Sequence, residues 1–214
     1  MTSEYSWIQD YLVKMRRELH QIPELDTNLP KTAAVICREL DDMKIPYRKN
    51  TKDSGIIALI QGEKTGKCIA VRADMDALPI KEETGLEYAS QNGCMHACGH
   101  DSHAAMLLGA AKILMKNREK INGCVKLIFQ TAEETARGAE IMIEEGALEN
   151  PKVDCLIGLH IGSIYSSEVS LGSAAIVPGT IMASYDKFTV KIKGRGCHGS
   201  TPERELTRLQ FPQQ

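Results

Sequence analysis

Residues 68–79 read CIAVRADMDALP: an apolar run of strand length, CIAVRA, that ends on two carboxylates, Asp74 and Asp76. Three more runs have the same length and enrichment in β-branched residues: GIIALIQG (55–62), CVKLIFQ (124–130) and VDCLIGL (153–159). Helical patterns over about 102–116 and 138–145 separate the later ones. Strands alternating with helices predict an α/β fold, a mixed and largely parallel sheet flanked by helices. Upstream, Ile8, Leu12, Met15 and Leu19 form one stripe of an amphipathic helix that must stop by Pro23. A second helix is expected from Pro30, a favoured first-turn residue, with Ala33, Ile36, Leu40 and Met43 facing inward. Downstream, DKFTVKIKG (186–194) alternates Phe188, Val190 and Ile192 with polar residues, the pattern of a half-exposed antiparallel strand. That change of pattern predicts a domain boundary: 1–180 as one domain, and 181–214 as the start of a second.

The chain has 214 residues, 26 basic and 28 acidic, for a formal net charge of −2. Neither a nucleic-acid binder nor a protein of anionic membranes is suggested by that balance. No apolar run approaches the roughly 18–20 residues that span a bilayer, and charges interrupt the first twenty residues too often for a secretory signal. The seven cysteines are scattered, odd in number and never spaced CxxC, as expected of reduced thiols in a cytoplasmic protein.

Polar clusters follow three of the four runs: Asp74 and Asp76 after CIAV, Glu133 and Glu134 after CVKLIFQ, and His160 after VDCLIGL. In α/β sheets, ligands collect outside the carboxyl ends of the strands. A fourth cluster, MHACGHDSHAAM (95–106), packs His96, Cys98, His100, Asp101 and His103 into eight residues. Thiolate, imidazole and carboxylate are ligands of zinc and its divalent neighbours. The carboxylate content favours a catalytic site, one glutamate binding metal while the other takes a proton from water. Each residue also has a plainer reading. Cys98 and His100 could be packed core residues, Glu133 and Glu134 first-turn acids, and His160 a satisfied strand-end histidine. His103, within HAAMLLGAA, reads as a packing or supporting residue. A Cys98–His100 nucleophilic pair is disfavoured, because residues two apart rarely align and no third orienting group is evident. The co-occurrence of the clusters decides for metal.

At RADMDALP, MHACGHDSHAAMLLGAA, LIFQTAEE and GLHIG the sequence resembles the metal-dependent amidohydrolases of the aminoacylase/carboxypeptidase type. The nearest branch contains hippurate hydrolase, N-acetyldiaminopimelate deacetylase and the auxin-conjugate hydrolases, and the likeness runs from RRELHQIPE (16–24) to GCHGSTPE (196–203). The resemblance implies hydrolysis of N-acetyl- or N-benzoyl-type N-acyl amino acids to a carboxylate and a free amino acid. It implies Cys98, His100, Glu134 and His160 as metal ligands, and Asp74, Glu133 and His198 as catalytic residues. Glu133 would be the general base, Asp74 a support of the metal site, and His198 a lid-domain residue at the substrate carbonyl. Two divalent ions per site are implied for a complete enzyme, manganese or zinc, with cobalt as a further candidate. The expected partner is a small-molecule N-acyl amino acid, with no nucleic acid and no membrane. A homodimer through the lid is an expectation for complete relatives rather than for this chain.

The end of the sequence departs from the family pattern. After STPE the family would continue with something like Gly-Val-Asp-Pro-Ile-Ala, whereas this chain continues Arg204-Glu205-Leu206-Thr207. Codons for residues 203–213 can be chosen so that one restored G yields Glu-Arg-Gly-Val-Asp-Pro-Ile-Ala-Val-Ser-Thr. The expectation is therefore a frameshifted N-terminal fragment that lacks one metal ligand, with marginal stability and little turnover. The alternative function is a catalytically inactive metal-binding remnant.

Overall fold

The computed structural model describes residues 3–162, 170, 172–181, 183–184, 186 and 188–201. Residues 1–172 and 173–214 form two separate compact units. A 3₁₀ turn (Ser3–Ile8) leads into helix α1 (Gln9–His20), followed by α2 (Pro30–Asp42). Strands β1 (Tyr47–Lys49), β2 (Ile56–Gln61) and β3 (Lys64–Asp74) precede α3 (His100–Lys116), then come β4 (Asn122–Gln130), α4 (Gly138–Glu144) and β5 (Cys155–Gly158). The four predicted strands of the first unit and all four helices are present within a few residues of their expected bounds. Tyr47–Lys49 was not anticipated. It is three residues long and polar, as suits an edge strand, and carries no apolar run to reveal it.

The sheet order is β1-β2-β4-β3-β5. It is antiparallel through β1, β2 and β4 and parallel through β4, β3 and β5, so the sheet is mixed as expected. Both faces are covered. Ile56, Ala58, Ile60, Leu127 and Phe129 share a core with α1, α2 and α3, while the intervening Ile57 and Ile128 pack with Met142 of α4 and Ala147. Burial on both faces explains why β2 and β4 read as continuous apolar runs instead of alternating. In register, Asp74 at the end of β3 stands beside Gln130 at the end of β4. The three parallel strands therefore end at one edge, and the chain leaves each of them on a polar cluster.

The second unit differs from expectation. Residues 186 and 188–194 form no ladder among the described residues, and Phe188 and Val190 are 83% and 68% exposed. An alternating pattern supplies a strand's faces but not its hydrogen bonds, which need a neighbouring strand. The tail from residue 202 lies outside the described residues.

Candidate metal centre

Helix α3 opens at Gly99, whose φ of 97° is left-handed and needs no side chain to be avoided. A Cβ there would sit 2.5 Å from Ile161 Cδ1. This turn places Cys98 before the helix and His100 in its first turn. His100 is fully buried, and its Nδ1–H donates to the Asp76 carbonyl at 2.9 Å. That bond leaves the lone pair on Nε2, which is buried and has no hydrogen-bond partner. Around it stand Asp74 Oδ2 at 3.6 Å, and Glu133 Oε2 and Glu134 Oε1 at 3.8 Å each.

The glutamates lie on the turn after β4. Ala132 adopts a positive φ of 49°, its N–H donating to the Asp26 carbonyl, and Glu133 and Glu134 donate their N–H groups to Asp76 Oδ1 and Oδ2 at 3.0 and 3.1 Å. Glu134 Oε1 is also buried without a partner, and burial pushes its carboxyl above the ordinary value. From the end of β5, His160 places Nε2 3.2 Å from Cys98 Sγ while its Nδ1–H donates to the Ile161 carbonyl. In the neutral imidazole both His100 and His160 therefore carry the lone pair on Nε2, the tautomer that a metal ligand requires, with His100 Nε2 unpartnered and His160 Nε2 beside the Cys98 thiol.

Potential ligand atoms of Cys98, His100 and His160 lie within 4.8 Å of one another, as do those of His100, Glu133 and Glu134. Asp74, His100 and His103 form a third such group, but Asp74 is already engaged. Its Oδ1 accepts from His103 Nδ1 at 2.6 Å and its Oδ2 meets Arg72 Nη1 at 2.7 Å. His103 Nε2 in turn accepts the Ile161 N–H at 2.9 Å. Burial alone would raise the Asp74 carboxyl, yet the His103 hydrogen bond and the charges of Arg72 and His100 outweigh it and hold it at about 2. Asp74 is thus a fixed negative charge that orients its neighbours. Cys98 is the opposite case: burial and then the charge of Glu134 push its thiol up to about 12. A partly buried cluster around the buried His100, with a reluctant thiol, a raised carboxyl and two orphaned ligand atoms, is short of positive charge. A divalent cation fits it in charge and in ligand type.

The structure therefore gathers Asp74, Cys98, His100, Glu133, Glu134 and His160 at one edge of the sheet. His198 belongs to the second unit, where its Nδ1 lies 2.8 Å from Ser200 Oγ. Sequence reasoning places Asp76 in a strand-end cluster but assigns it no role, and it does not single out His20. The carboxylate of Asp76 engages the two glutamate amides, which no spacing rule reveals. His20 is buried between Asp101 and Glu82, at 2.7 and 3.0 Å, and links α1 to α3 and to the loop after β3. The Leu-His pair that ends the α1 pattern was the available signal for it, but its partners are 81 and 62 residues away.

Residues 70–208 match the peptidase family M20/M25/M40. The chain is 43% identical over 198 residues to the N-acetyl-L-cysteine deacetylase of Bacillus subtilis, covering 92% of this chain and 46% of that protein. It is 41% identical over 201 residues to the N-acyl-L-amino acid amidohydrolase of Geobacillus stearothermophilus, covering 92% and 52%. Among solved structures it resembles the Bacillus subtilis YxeP protein, described as a dinuclear metal binding peptidase from the M20 family. The TM-score is 0.70 at 42% identity, covering 74% of this chain and 44% of that one. The chain spans about half the length of the curated relatives it matches. Strand ends that deliver thiol, imidazole and carboxylate to one edge, together with the family match over most of the chain, place this protein in peptidase family M20/M25/M40.

Proposed function

We propose that the chain carries the metal-binding half of an amidohydrolase that cleaves N-acyl amino acids, N-acetyl- or N-benzoyl-type substrates, into a carboxylate and a free amino acid. The observation that carries this reading is the pair of buried, partnerless ligand atoms, His100 Nε2 and Glu134 Oε1, facing each other across 3.8 Å. The relatives' printed activities, deacetylation of N-acetylcysteine and hydrolysis of N-acyl amino acids, support the substrate class.

Cys98, His100, Glu134 and His160 would hold the metal, manganese or zinc with cobalt as a substitute, and two ions in the complete site by analogy with the dinuclear relative. A divalent ion there supplies Lewis acidity to polarise the amide carbonyl and to lower the pKa of water. Glu133, whose side chain is the more exposed of the glutamate pair, takes the proton from the attacking water and returns it to the leaving amine. Asp74, kept ionised by Arg72 and His103, orients the cluster. His198, in the region 181–214 read as the start of a lid, is assigned to the oxyanion. The unpaired thiols fit a reducing, cytoplasmic setting.

The test is a hydrolysis assay on a panel of N-acetyl and N-benzoyl amino acids with added manganese, zinc or cobalt. Release of free amino acid that is lost in Glu133→Gln supports the reading. Release of amino acid that needs none of the added metals, or that persists unchanged in Glu133→Gln, overturns the assigned chemistry.

A further inference from the structure

Lys126 lies midway along β4, the central strand of the sheet, and is 2% exposed. Its register partners are Leu59 on β2 and Ala70 on β3, and it belongs to none of the ligand groups of the metal centre. Its Nζ donates to three main-chain carbonyls, that of Ala147 at 2.9 Å and those of Glu149 and Pro151 at 2.8 Å each. A neutral amine carries two hydrogens, so three acceptors on one nitrogen require the ammonium form. Burial pulls the amine's pKa down, but giving up the proton would forfeit one of the three bonds. The Cys68 thiol, whose anion would attract the amine, is pushed up to about 11 by burial and stays neutral near pH 7. The lysine charge is therefore held by carbonyl dipoles.

We propose that residues 147–151 build a monovalent-cation site of main-chain carbonyls, which the chain fills with its own Lys126 ammonium. The segment is shaped for this. Gly146 and Asn150 take left-handed φ values of 76° and 50°, curling the chain so that alternate carbonyls turn inward. The curl is fixed by Ala147 N–H donating to the Met142 carbonyl and Val153 N–H to the Leu148 carbonyl, each at 2.9 Å. Neutral oxygens at 2.8–2.9 Å suit a singly charged ion of ammonium or potassium size. A divalent ion would draw more oxygens in to about 2.0–2.6 Å. One side chain thus ties the middle of β4 to the connection between α4 and β5 at three points. Removing the charge strips three inward carbonyls of their donor at once. Neither the amine nor the carbonyls belong to the metal centre, so the proposal stands apart from the metal reading.

The experiment is urea denaturation of the full chain and two variants, followed by circular dichroism. Lys126→Met keeps the stem and loses the charge, and its midpoint is expected to fall by about 1–2 M. Lys126→Ala leaves room for three carbons and one nitrogen, the shape of n-propylammonium. That ion should raise the midpoint of Lys126→Ala, while tetramethylammonium at the same concentration, with no N–H to donate, should not. Lys126→Met as stable as the unaltered chain, or Lys126→Ala stabilised no more by n-propylammonium than by tetramethylammonium, would overturn the inference. A second measurement needs no variant. In the folded chain acetic anhydride should label the exposed Lys67 and spare Lys126. Labelling of both at equal rates would overturn the assignment independently.

Discussion

At the scale of single residues, the site divides into atoms left free and atoms already committed. Cys98, His100, Glu134 and His160 offer atoms that have no partner or only one another, whereas Asp74 and His103 are saturated by mutual and neighbouring bonds. The two classes respond differently to substitution. Cys98→Ala should remove a ligand and reduce metal uptake, read by elemental analysis after dialysis, to less than half the wild-type content. His103→Phe keeps an aromatic ring in the same stack but drops the bond to Asp74. Its expected effect is smaller, about 10–100-fold in metal affinity with the stoichiometry intact. Equal losses from the two substitutions would contradict the division. The candidate residues themselves were legible because Cys-Gly-His, Glu-Glu and strand-end His are unusual in apolar surroundings. Their roles were not, since commitment of a lone pair depends on bonds spanning 29–62 residues.

At the scale of elements, α1, α3 and the loop after β3 are joined by a buried ionic group. Burial would raise the Glu82 carboxyl, but hydrogen bonds from Thr84, the Ser90 N–H and His20 outweigh it and hold it at about 2. A carboxyl depressed on folding stabilises the protein above its ordinary value of 4.5, and that contribution fades as pH falls from there towards 2. His20 is raised, chiefly by its bond to Asp101, so its contribution is complete below 6.5 and fades as pH rises through the elevated value. This junction should therefore be most stable between about pH 4.5 and 6.5. Denaturant titrations of Glu82→Gln should show a flatter loss of stability between pH 4.5 and 2 than the wild type, and parallel curves would refute it. The start of α4 makes a different demand. A Cβ on Gly138 would lie 1.6 Å from the backbone oxygen of Thr131, which cannot move aside as a side chain can. Gly138→Ala should cost about 3 kcal/mol or more, whereas Gly85→Ala, with open space but a φ of 71°, should cost only about 1. Thermal unfolding of both variants checks the ranking. Neither glycine could be ranked from sequence, because the obstacle at Gly138 belongs to the preceding turn.

At the scale of the whole molecule, β5 closes the described sheet with apolar residues open on both faces. Leu156 and Ile157 point to opposite sides and are each 50% exposed, and Leu159 is 58% exposed. A strand with exposed edge bonds and two apolar faces is a template for association. Ile157→Lys should lower the concentration-dependent mass seen by light scattering and reduce binding of a hydrophobic dye. A monodisperse wild-type chain that binds no dye would remove the basis for this expectation. No helix among the described residues is long and apolar enough to cross a membrane.

The sequence by itself determined four of the five strands and the four α-helices of residues 9–158, and which residues gather at the strand ends. Both follow from patterns within ten or so neighbours: apolar runs bounded by turns, and polar clusters placed directly after them. Only the tertiary structure decided that β4 lies between β2 and β3, and that Asp76 holds the glutamate turn. It also decided that His20 sits buried between two carboxylates. The same limit explains 186–194, where the alternation is plain but no ladder forms among the described residues. These outcomes depend on hydrogen bonds between residues far apart in the chain, and local pattern carries the donors and acceptors without saying which of them meet.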